Sequence, residues 1–148
     1  MSWQPTRRVC LVLLVVLALD QLSKRLVDGS LAAGEERSIV PGLKLVHAIN
    51  HGIAFGVSAG GPGTLIAAVA VAVVAILILF ARHYRRALVW LPTGLLLGGA
   101  LGNLFDRLRD GAVTDFIKLP LWPAFNLADV SITFGVLSLL YVMESRGA

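Results

Sequence analysis

Hydrophobic residues in this chain form four long runs that are separated by polar connections. Each run has about the 20 residues that a helix needs to cross the hydrocarbon core of a bilayer. The second run has no charged side chain over residues 64–81. The pattern predicts an all-α membrane protein with a single domain, residues 1–148, and four transmembrane helices at about residues 9–27, 64–82, 87–105 and 127–144.

The connection between the first two runs is too long for a simple turn. Within residues 28–63, branched residues flank a Pro-Gly pair in the stretch SIVPGLKLVHAI. This pattern is typical of two strands joined by a turn, so a small β-element is predicted there. The Gly-rich residues 57–63 predict a flexible connection, and a lid over a site is a further hypothesis for them.

Composition agrees with a membrane protein. The chain is 57% hydrophobic and 15% charged, and its net charge of +4 suits contact with anionic lipid headgroups. Basic residues are not interleaved with aromatic ones, which argues against nucleic-acid binding. The single cysteine, Cys10, excludes an internal disulfide and is expected to be a small core residue. No small-x-small pattern follows the first run, so we expect that run to be retained rather than cleaved.

Orientation in the membrane is only weakly indicated by charge. Four spans place both termini on one side, and the Lys and Arg residues divide almost evenly between the two sides. Three arginines, however, crowd the short hairpin between the second and third runs at Arg82, Arg85 and Arg86. Dense basic residues in short loops favour the cytoplasm, so cytoplasmic termini are predicted.

Polar side chains collect at one end of the predicted spans. Asp20 and Lys24 are spaced i, i+4, as are Asn103 and Arg107, so each pair shares a helix face. Ionisable groups near a bilayer core usually face the bundle interior and are functional candidates. Topology places the following at one leaflet: Asp20, Lys24, Asn50, Asn103, Asp106, Arg107, Asp115, Asn126 and Asp129.

Simpler roles are open for most of these residues. Asp20–Lys24 and Asp106–Arg107 are predicted to be ion pairs that anchor helix ends. Asn126, with an acid three residues later, has the pattern of a helix cap. His47 and His51 have an H-x3-H spacing, but their stretch is predicted to be a strand or loop, so we do not expect a metal site.

Asp115 and Asp129 differ because neither has a basic neighbour in the sequence. They are joined by a loop short enough to bring their carboxyl groups together. Two close carboxylates share a proton, which raises one pKa and lets the pair act as general base and general acid on a peptide bond. Two alternatives stay open: a small proton-coupled transporter that uses intramembrane acids, and a structural subunit whose polar residues only cap and anchor.

The sequence resembles the lipoprotein signal peptidases, also called signal peptidase II. The resemblance rests on five stretches in the family's order: DQLSK (20–24), NHGIAFG (50–56), GGALGNLFDRL (98–108), AVTDFI (112–117) and PAFNLADVSIT (123–133). Together they cover most of the chain.

The resemblance implies an aspartic endopeptidase of the bacterial inner membrane. Such enzymes remove the signal peptide from diacylglyceryl-modified prolipoproteins by cutting before the lipidated cysteine. They need no metal or organic cofactor, and globomycin-type inhibitors block them. The resemblance assigns the catalytic roles to Asp115 and Asp129 and supporting roles to Asp20, Lys24, Asn50, Asn103, Asp106, Arg107 and Asn126. It further implies cytoplasmic termini, a site near the periplasmic leaflet, and a periplasmic β-cradle in residues 28–63.

Overall fold

Helices dominate the architecture, and a small antiparallel sheet accompanies them. The structure, a computed structural model, describes residues 4–52 and 62–145. The lid hypothesis concerned the Gly-rich residues 57–63. Residues 57–61 of that stretch lie outside the described part of the chain. The elements follow the order α1 (Gln4–Ser30), β1 (Glu36–Val40), β2 (Leu43–Asn50), α2 (Pro62–His83), α3 (Trp90–Asp110), β3 (Val113–Lys118) and α4 (Leu127–Glu144).

Helix α3 is central, with α1 and α4 packed closely against it. Glycines on α3 make this possible, because small residues let helix backbones approach. A Cβ atom added at Gly98 would lie 2.7 Å from the Cβ of Val16 on α1. One added at Gly99 would lie 2.5 Å from the carbonyl oxygen of Ala128 on α4. The three helices therefore form a tight inner group.

Helix α2 is peripheral, since α3 is the only described element it packs against. Its outer face exposes a continuous apolar surface that includes Val71, Val74, Leu77 and Ile78. Such a surface needs a nonaqueous partner. By length and hydropathy, two described helices qualify as candidate membrane spans, Gly63–His83 and Leu127–Glu144. The four predicted runs are all helical, but α1 and α3 carry several charged residues and do not qualify by this measure.

The sheet has the strand order β1-β2-β3, with both pairs antiparallel. Strands β1 and β2 meet at a turn in which Gly42 adopts a φ of 84°, a conformation that favours glycine. The β-element predicted in residues 28–63 is confirmed by this hairpin. Strand β3 was not predicted, although Val113–Lys118 is rich in β-branched and aromatic residues.

Two further expectations need correction. Helix α3 was expected over residues 87–105, but it begins at Trp90 and continues to Asp110, where Gly111 ends it with a φ of 73°. Asp106 and Arg107 are therefore on the helix rather than beyond it. Cys10, expected in the core, is exposed on α1, where its small apolar side chain suits a surface of similar residues such as Leu11 and Leu14.

Candidate active site

Asp115 lies in the middle of β3, where strand pairing sets its position. The β2–β3 register puts it opposite Ala48, near the end of β2 that carries Asn50. Asn50 Nδ2 donates a hydrogen bond of 2.9 Å to Asp115 Oδ2. Asn126 Nδ2 donates one of 2.6 Å to Asp115 Oδ1. Both carboxyl oxygens are thus held by amide side chains from different parts of the chain.

The protonation of Asp115 is shifted by its surroundings. The residue is only 3% exposed. Burial raises the pKa of this carboxyl from an ordinary 3.8 to about 6. The hydrogen bond from Asn50 opposes the increase in pKa, the negative charge of Asp129 adds to it, and Asn126 and Lys24 oppose it more weakly. Asp115 is therefore able to hold a proton close to neutral pH.

Asp129 lies in the first turn of α4 and forms a capping box with Asn126. The Asp129 N–H donates to Asn126 Oδ1 over 3.0 Å, and the Asn126 N–H donates back to Asp129 Oδ2 over 3.3 Å. The cap predicted from sequence is confirmed. Because the same Asn126 amide also holds Asp115, one residue bridges the two acids.

Asn103 connects this pair to α3. Its Nδ2 donates a hydrogen bond of 2.8 Å to Asp129 Oδ1. Its Oδ1 accepts bonds from Asn126 Nδ2 at 3.2 Å and from Lys24 Nζ at 3.0 Å. A single amide on α3 thus joins the acid pair to the charged residues on α1.

Lys24 is the cation at the centre of a buried group of charges. Its Nζ lies 2.7 Å from Asp20 Oδ2 and 2.6 Å from Asp106 Oδ2. Asp106 also accepts a hydrogen bond of 2.8 Å from Gln21 Nε2. The predicted Asp20–Lys24 ion pair is confirmed. The predicted Asp106–Arg107 pair is wrong, because Asp106 turns inward to Lys24.

Asp20 has a second function in the fold. Its Oδ1 accepts a hydrogen bond of 2.9 Å from the Ala128 N–H in the first turn of α4. A carboxylate at this position satisfies a free helix N–H and is favoured by the helix dipole. The close approach depends on Gly102, where a Cβ would lie 2.7 Å from Asp20 Oδ2.

Arg107 supports the backbone around the site. Its Nη1 donates to the carbonyl oxygen of Asn103 on its own helix, over 3.2 Å. Its Nη2 donates over 3.3 Å to the carbonyl oxygen of Gly52, just after β2. The Gly52 N–H in turn donates to Asn50 Oδ1 over 2.9 Å. Arg107 thereby reaches one of the amides that hold Asp115.

All nine polar residues that the sequence places at one leaflet belong to this one hydrogen-bonded network. Sequence reasoning missed three contributors, namely Gln21, the backbone of Gly52 and the Ala128 N–H. Gln21 could have been found, because it lies three residues before Lys24 and so lies near it on α1. The two backbone contributors leave no signal in side-chain chemistry.

Of the two histidines with the H-x3-H spacing, His47 has two close contacts. His47 lies on β2, with Nδ1 2.9 Å from the Leu31 carbonyl oxygen and Nε2 3.1 Å from Asp28 Oδ1. Within residues 4–52 and 62–145, no group of three or more His, Cys, Asp or Glu side chains is arranged to hold a metal ion.

Known structures identify the class of protein to which this fold belongs. The chain is similar to a solved bacterial membrane enzyme with a TM-score of 0.83 and 28% identity, covering 94% of this chain and 91% of that one. A second solved bacterial membrane enzyme gives a TM-score of 0.80 and 26% identity, covering 94% of each chain. The fold is that of a bacterial membrane enzyme.

Sequence comparisons then specify the family. A sequence model described as signal peptidase (SPase) II matches residues 12–144. The lipoprotein signal peptidase of Moorella thermoacetica is 44% identical over 135 residues, which cover 88% of this chain and 89% of the relative. That of Halothermothrix orenii is 38% identical over 140 residues, covering 93% and 97%. The chain belongs to the signal peptidase II family and is a membrane peptidase.

Proposed function

We propose that this chain is an aspartic endopeptidase that removes signal peptides from diacylglyceryl-modified prolipoproteins by cutting before the lipidated cysteine. Family membership and relatives named lipoprotein signal peptidase support the substrate class. The observation that carries the aspartic mechanism is the bridge through Asn126, which joins the buried Asp115 to Asp129. Asp115 and Asp129 are the proposed catalytic residues.

The two carboxyl groups have different environments, and these suggest different roles. Asp115 is buried and has a pKa of about 6, so it is suited to carry the shared proton. Asp129 is less buried, so its carboxyl group is more open to a water molecule. Asp129 therefore acts as the base that removes a proton from water, while Asp115 donates its proton to the scissile carbonyl oxygen.

Hydrolysis then follows in two stages. Once water has lost a proton, its oxygen bonds to the carbonyl carbon, and a tetrahedral diol forms. The C–N bond breaks as the leaving nitrogen takes the proton held by Asp129, and the proton of a diol hydroxyl returns to Asp115 as the carboxyl product forms. Each atom and proton is accounted for, and the enzyme returns to its starting state.

The remaining polar residues are proposed to hold this geometry. Asn50, Asn103 and Asn126 fix the carboxyl oxygens through their amides. Arg107 braces the backbone that carries Asn50. A buried group of charges keeps α1, α3 and the start of α4 in register, and it consists of Asp20, Lys24 and Asp106.

The proposed setting is the bacterial inner membrane, with α1 to α4 as spans and both termini cytoplasmic. At 1.5 Å per residue, the 21 residues of α3 extend about 32 Å, enough to cross the hydrocarbon core. The acids then lie near the periplasmic leaflet, where lipid-anchored substrates and globomycin-type inhibitors would enter. The transporter alternative has no support: the comparisons indicate a peptidase, and the acids lie at one end of the helices.

The test is cleavage of a diacylglyceryl-modified prolipoprotein by purified protein in detergent. Asp129→Asn and Asp115→Asn should each lower the rate by about 10²–10⁴-fold, because each removes a general base or acid. Asp110→Asn makes the same chemical change at an exposed site and should keep the wild-type rate. The same prolipoprotein without its diacylglyceryl group should remain uncut.

Each outcome separates the proposals. A purely structural role for the acids predicts that Asp129→Asn lowers the melting temperature but cuts at the normal rate, and that result would overturn the dyad. Normal cutting of the unlipidated precursor would overturn the substrate assignment while leaving the dyad in place.

A further inference from the structure

A second candidate site lies at the opposite end of the helices from the acids. It is a cavity of about 430 Å³ between the start of α1, the connection after α2 and the start of α3. Its size falls in the range of ordinary small-molecule sites. Along α1, the 16 residues from Arg8 to Lys24 place it about 24 Å from the buried charges of the active site. Its lining includes Pro5, Arg8, Tyr84, Arg85, Arg86 and Trp90.

Three arginines line this cavity, and each of them contacts a neutral group. The Arg8 guanidinium lies 5.5 Å from the centroid of the Trp90 ring. Arg85 Nε donates a hydrogen bond of 3.0 Å to Tyr84 Oη. Arg86 Nη1 donates to two carbonyl oxygens in the last turn of α4, at 3.3 Å and 3.2 Å. These contacts fix the guanidinium groups without neutralising them.

In the described part of the chain, no acidic side chain forms an ion pair with these three arginines. Among residues 4–52 and 62–145, none of the ion pairs includes Arg8, Arg85 or Arg86. Three like charges around one cavity repel one another, and an anion between them removes that repulsion. Guanidinium groups match phosphate oxygens particularly well, because their N–H groups form paired, charge-assisted hydrogen bonds.

The position along the helices indicates which phosphate is available. The apolar span Gly63–His83 ends one residue before Tyr84, so the cavity begins where the hydrocarbon core ends. Aromatic residues such as Trp90 and Tyr84 are typical of that level. Phospholipid headgroups fill it, and basic pockets there bind anionic ones.

We propose that this cavity binds the phosphodiester headgroup of an anionic glycerophospholipid, with Arg8 and Arg85 as its main contacts. A zwitterionic lipid is disfavoured, because its ammonium group would enter a cavity that already holds three cations. The site is separate from the acids and does not depend on the proposed peptidase chemistry.

The experiment measures the melting temperature of the purified full-length chain in a neutral detergent. Phosphatidylglycerol, phosphatidylcholine or inorganic phosphate is added in separate titrations. We expect phosphatidylglycerol to raise the melting temperature of the wild type by about 4 °C or more, because a ligand that binds only the folded state stabilises it. Phosphatidylcholine and inorganic phosphate should have at most a quarter of that effect.

Two double variants test whether the effect belongs to the cavity. Arg8→Gln with Arg85→Gln removes two lining charges, while Arg7→Gln with Arg82→Gln removes two exposed charges that do not line it. Both lower the net charge equally, so general attraction to anionic lipid falls equally. The first should lose the phosphatidylglycerol effect and the second should keep it. If the glutamine pair fails to fold, Arg8→Lys with Arg85→Lys keeps both charges but loses the planar fork, and it should at least halve the effect.

Three results would overturn the proposal. Equal loss in both glutamine pairs would mean that only overall charge matters. An equal effect of phosphatidylcholine would remove the selectivity for anionic lipids. An equal effect of inorganic phosphate would assign the cavity to free phosphate rather than to a lipid.

Discussion

At the scale of single residues, Asn126 explains why the capping role and the proposed catalytic role of this region are not alternatives. Its side-chain oxygen caps α4, while its side-chain nitrogen holds Asp115. Its backbone N–H holds Asp129. The start of the helix and the acid pair are therefore built from the same atoms, and a residue with the sequence pattern of a cap also belongs to the site.

Asp115→Asn should make the protein more stable relative to wild type as the pH rises. The Asp115 pKa is raised in the folded state to about 6 from 3.8, so the wild type has its full stability below the unfolded value and loses stability as the pH passes through about 6. Asparagine does not titrate. Between pH 4 and pH 8 the free energy of unfolding of the variant, relative to that of the wild type, should rise by up to about 3 kcal/mol. Melting temperatures across this range measure the gain.

Glu36→Gln is the control for this experiment. Hydrogen bonds from Lys118 and Lys44 lower the pKa of Glu36 to about 2, so the stability it contributes is lost only when the pH falls toward that value. The difference between this variant and the wild type should stay constant from pH 5 to pH 8. A constant difference for Asp115→Asn as well would contradict the raised pKa.

At the scale of elements, glycines on α3 decide how closely the acid-bearing helix can approach. Gly99 contacts α4 at Ala128, two residues after Asn126 and one before Asp129. The contact is with backbone, which cannot rotate out of the way as a flexible side chain can. The distance between α3 and α4 therefore controls the Asn103–Asp129 hydrogen bond.

Gly99→Ala should lower both stability and cleavage. The added Cβ would lie 2.5 Å from the Ala128 carbonyl oxygen, so the helices must separate, and overpacking of this kind costs about 1–3 kcal/mol. Gly29→Ala on α1 is the matched control, because nothing lies within 4 Å of its added Cβ. Thermal unfolding and cleavage assays should separate them, with the control unchanged or slightly more stable. Equal effects of the two substitutions would mean that the close packing at Gly99 is unimportant.

The elements themselves were predictable to different degrees. The four helices and the β1–β2 hairpin follow from hydropathy and the Pro-Gly turn. The end of α3 was placed too early because its last turns are polar. Asp106, however, faces inward to Lys24, and the helix continues to Asp110, where Gly111 ends it. Strand β3 was missed because its pairing partner, β2, is distant in sequence, and strand pairing of this kind leaves little local signal.

At the scale of the whole molecule, the site is assembled from five elements, α1, β2, α3, β3 and the start of α4. Membrane topology predicted which residues meet, because alternating spans bring the same ends together. It did not predict the partners within the group, as Arg107 illustrates. Partner choice depends on side-chain direction and on the close approach at Gly102, which neither periodicity nor charge records.

Lys24→Met should destabilise the protein strongly. It leaves Asp20 and Asp106 buried without their shared cation, and breaking a buried ion pair costs about 3–5 kcal/mol. Lys44→Met removes an exposed lysine that also contacts a carboxylate, Glu36, and should change the melting temperature little. If the two variants have the same melting temperature, the central role assigned to Lys24 is wrong. Asp106→Leu removes one of the two acids left without a cation. If adding it to Lys24→Met restores stability, the central role of Lys24 is supported.

The hydrogen bond from Ala128 to Asp20 has a consequence for the synthesis of the protein on the ribosome. Its two ends are 108 residues apart, and the Asn103 amide and the Asp115 carboxyl group also have partners on or beside α4. At typical rates of synthesis, about 5–20 s separate the emergence of Asp20 from that of its partner. During that interval the nascent chain has no Asp129, the proposed catalytic base. We therefore expect a chain that ends before α4 to have no peptidase activity.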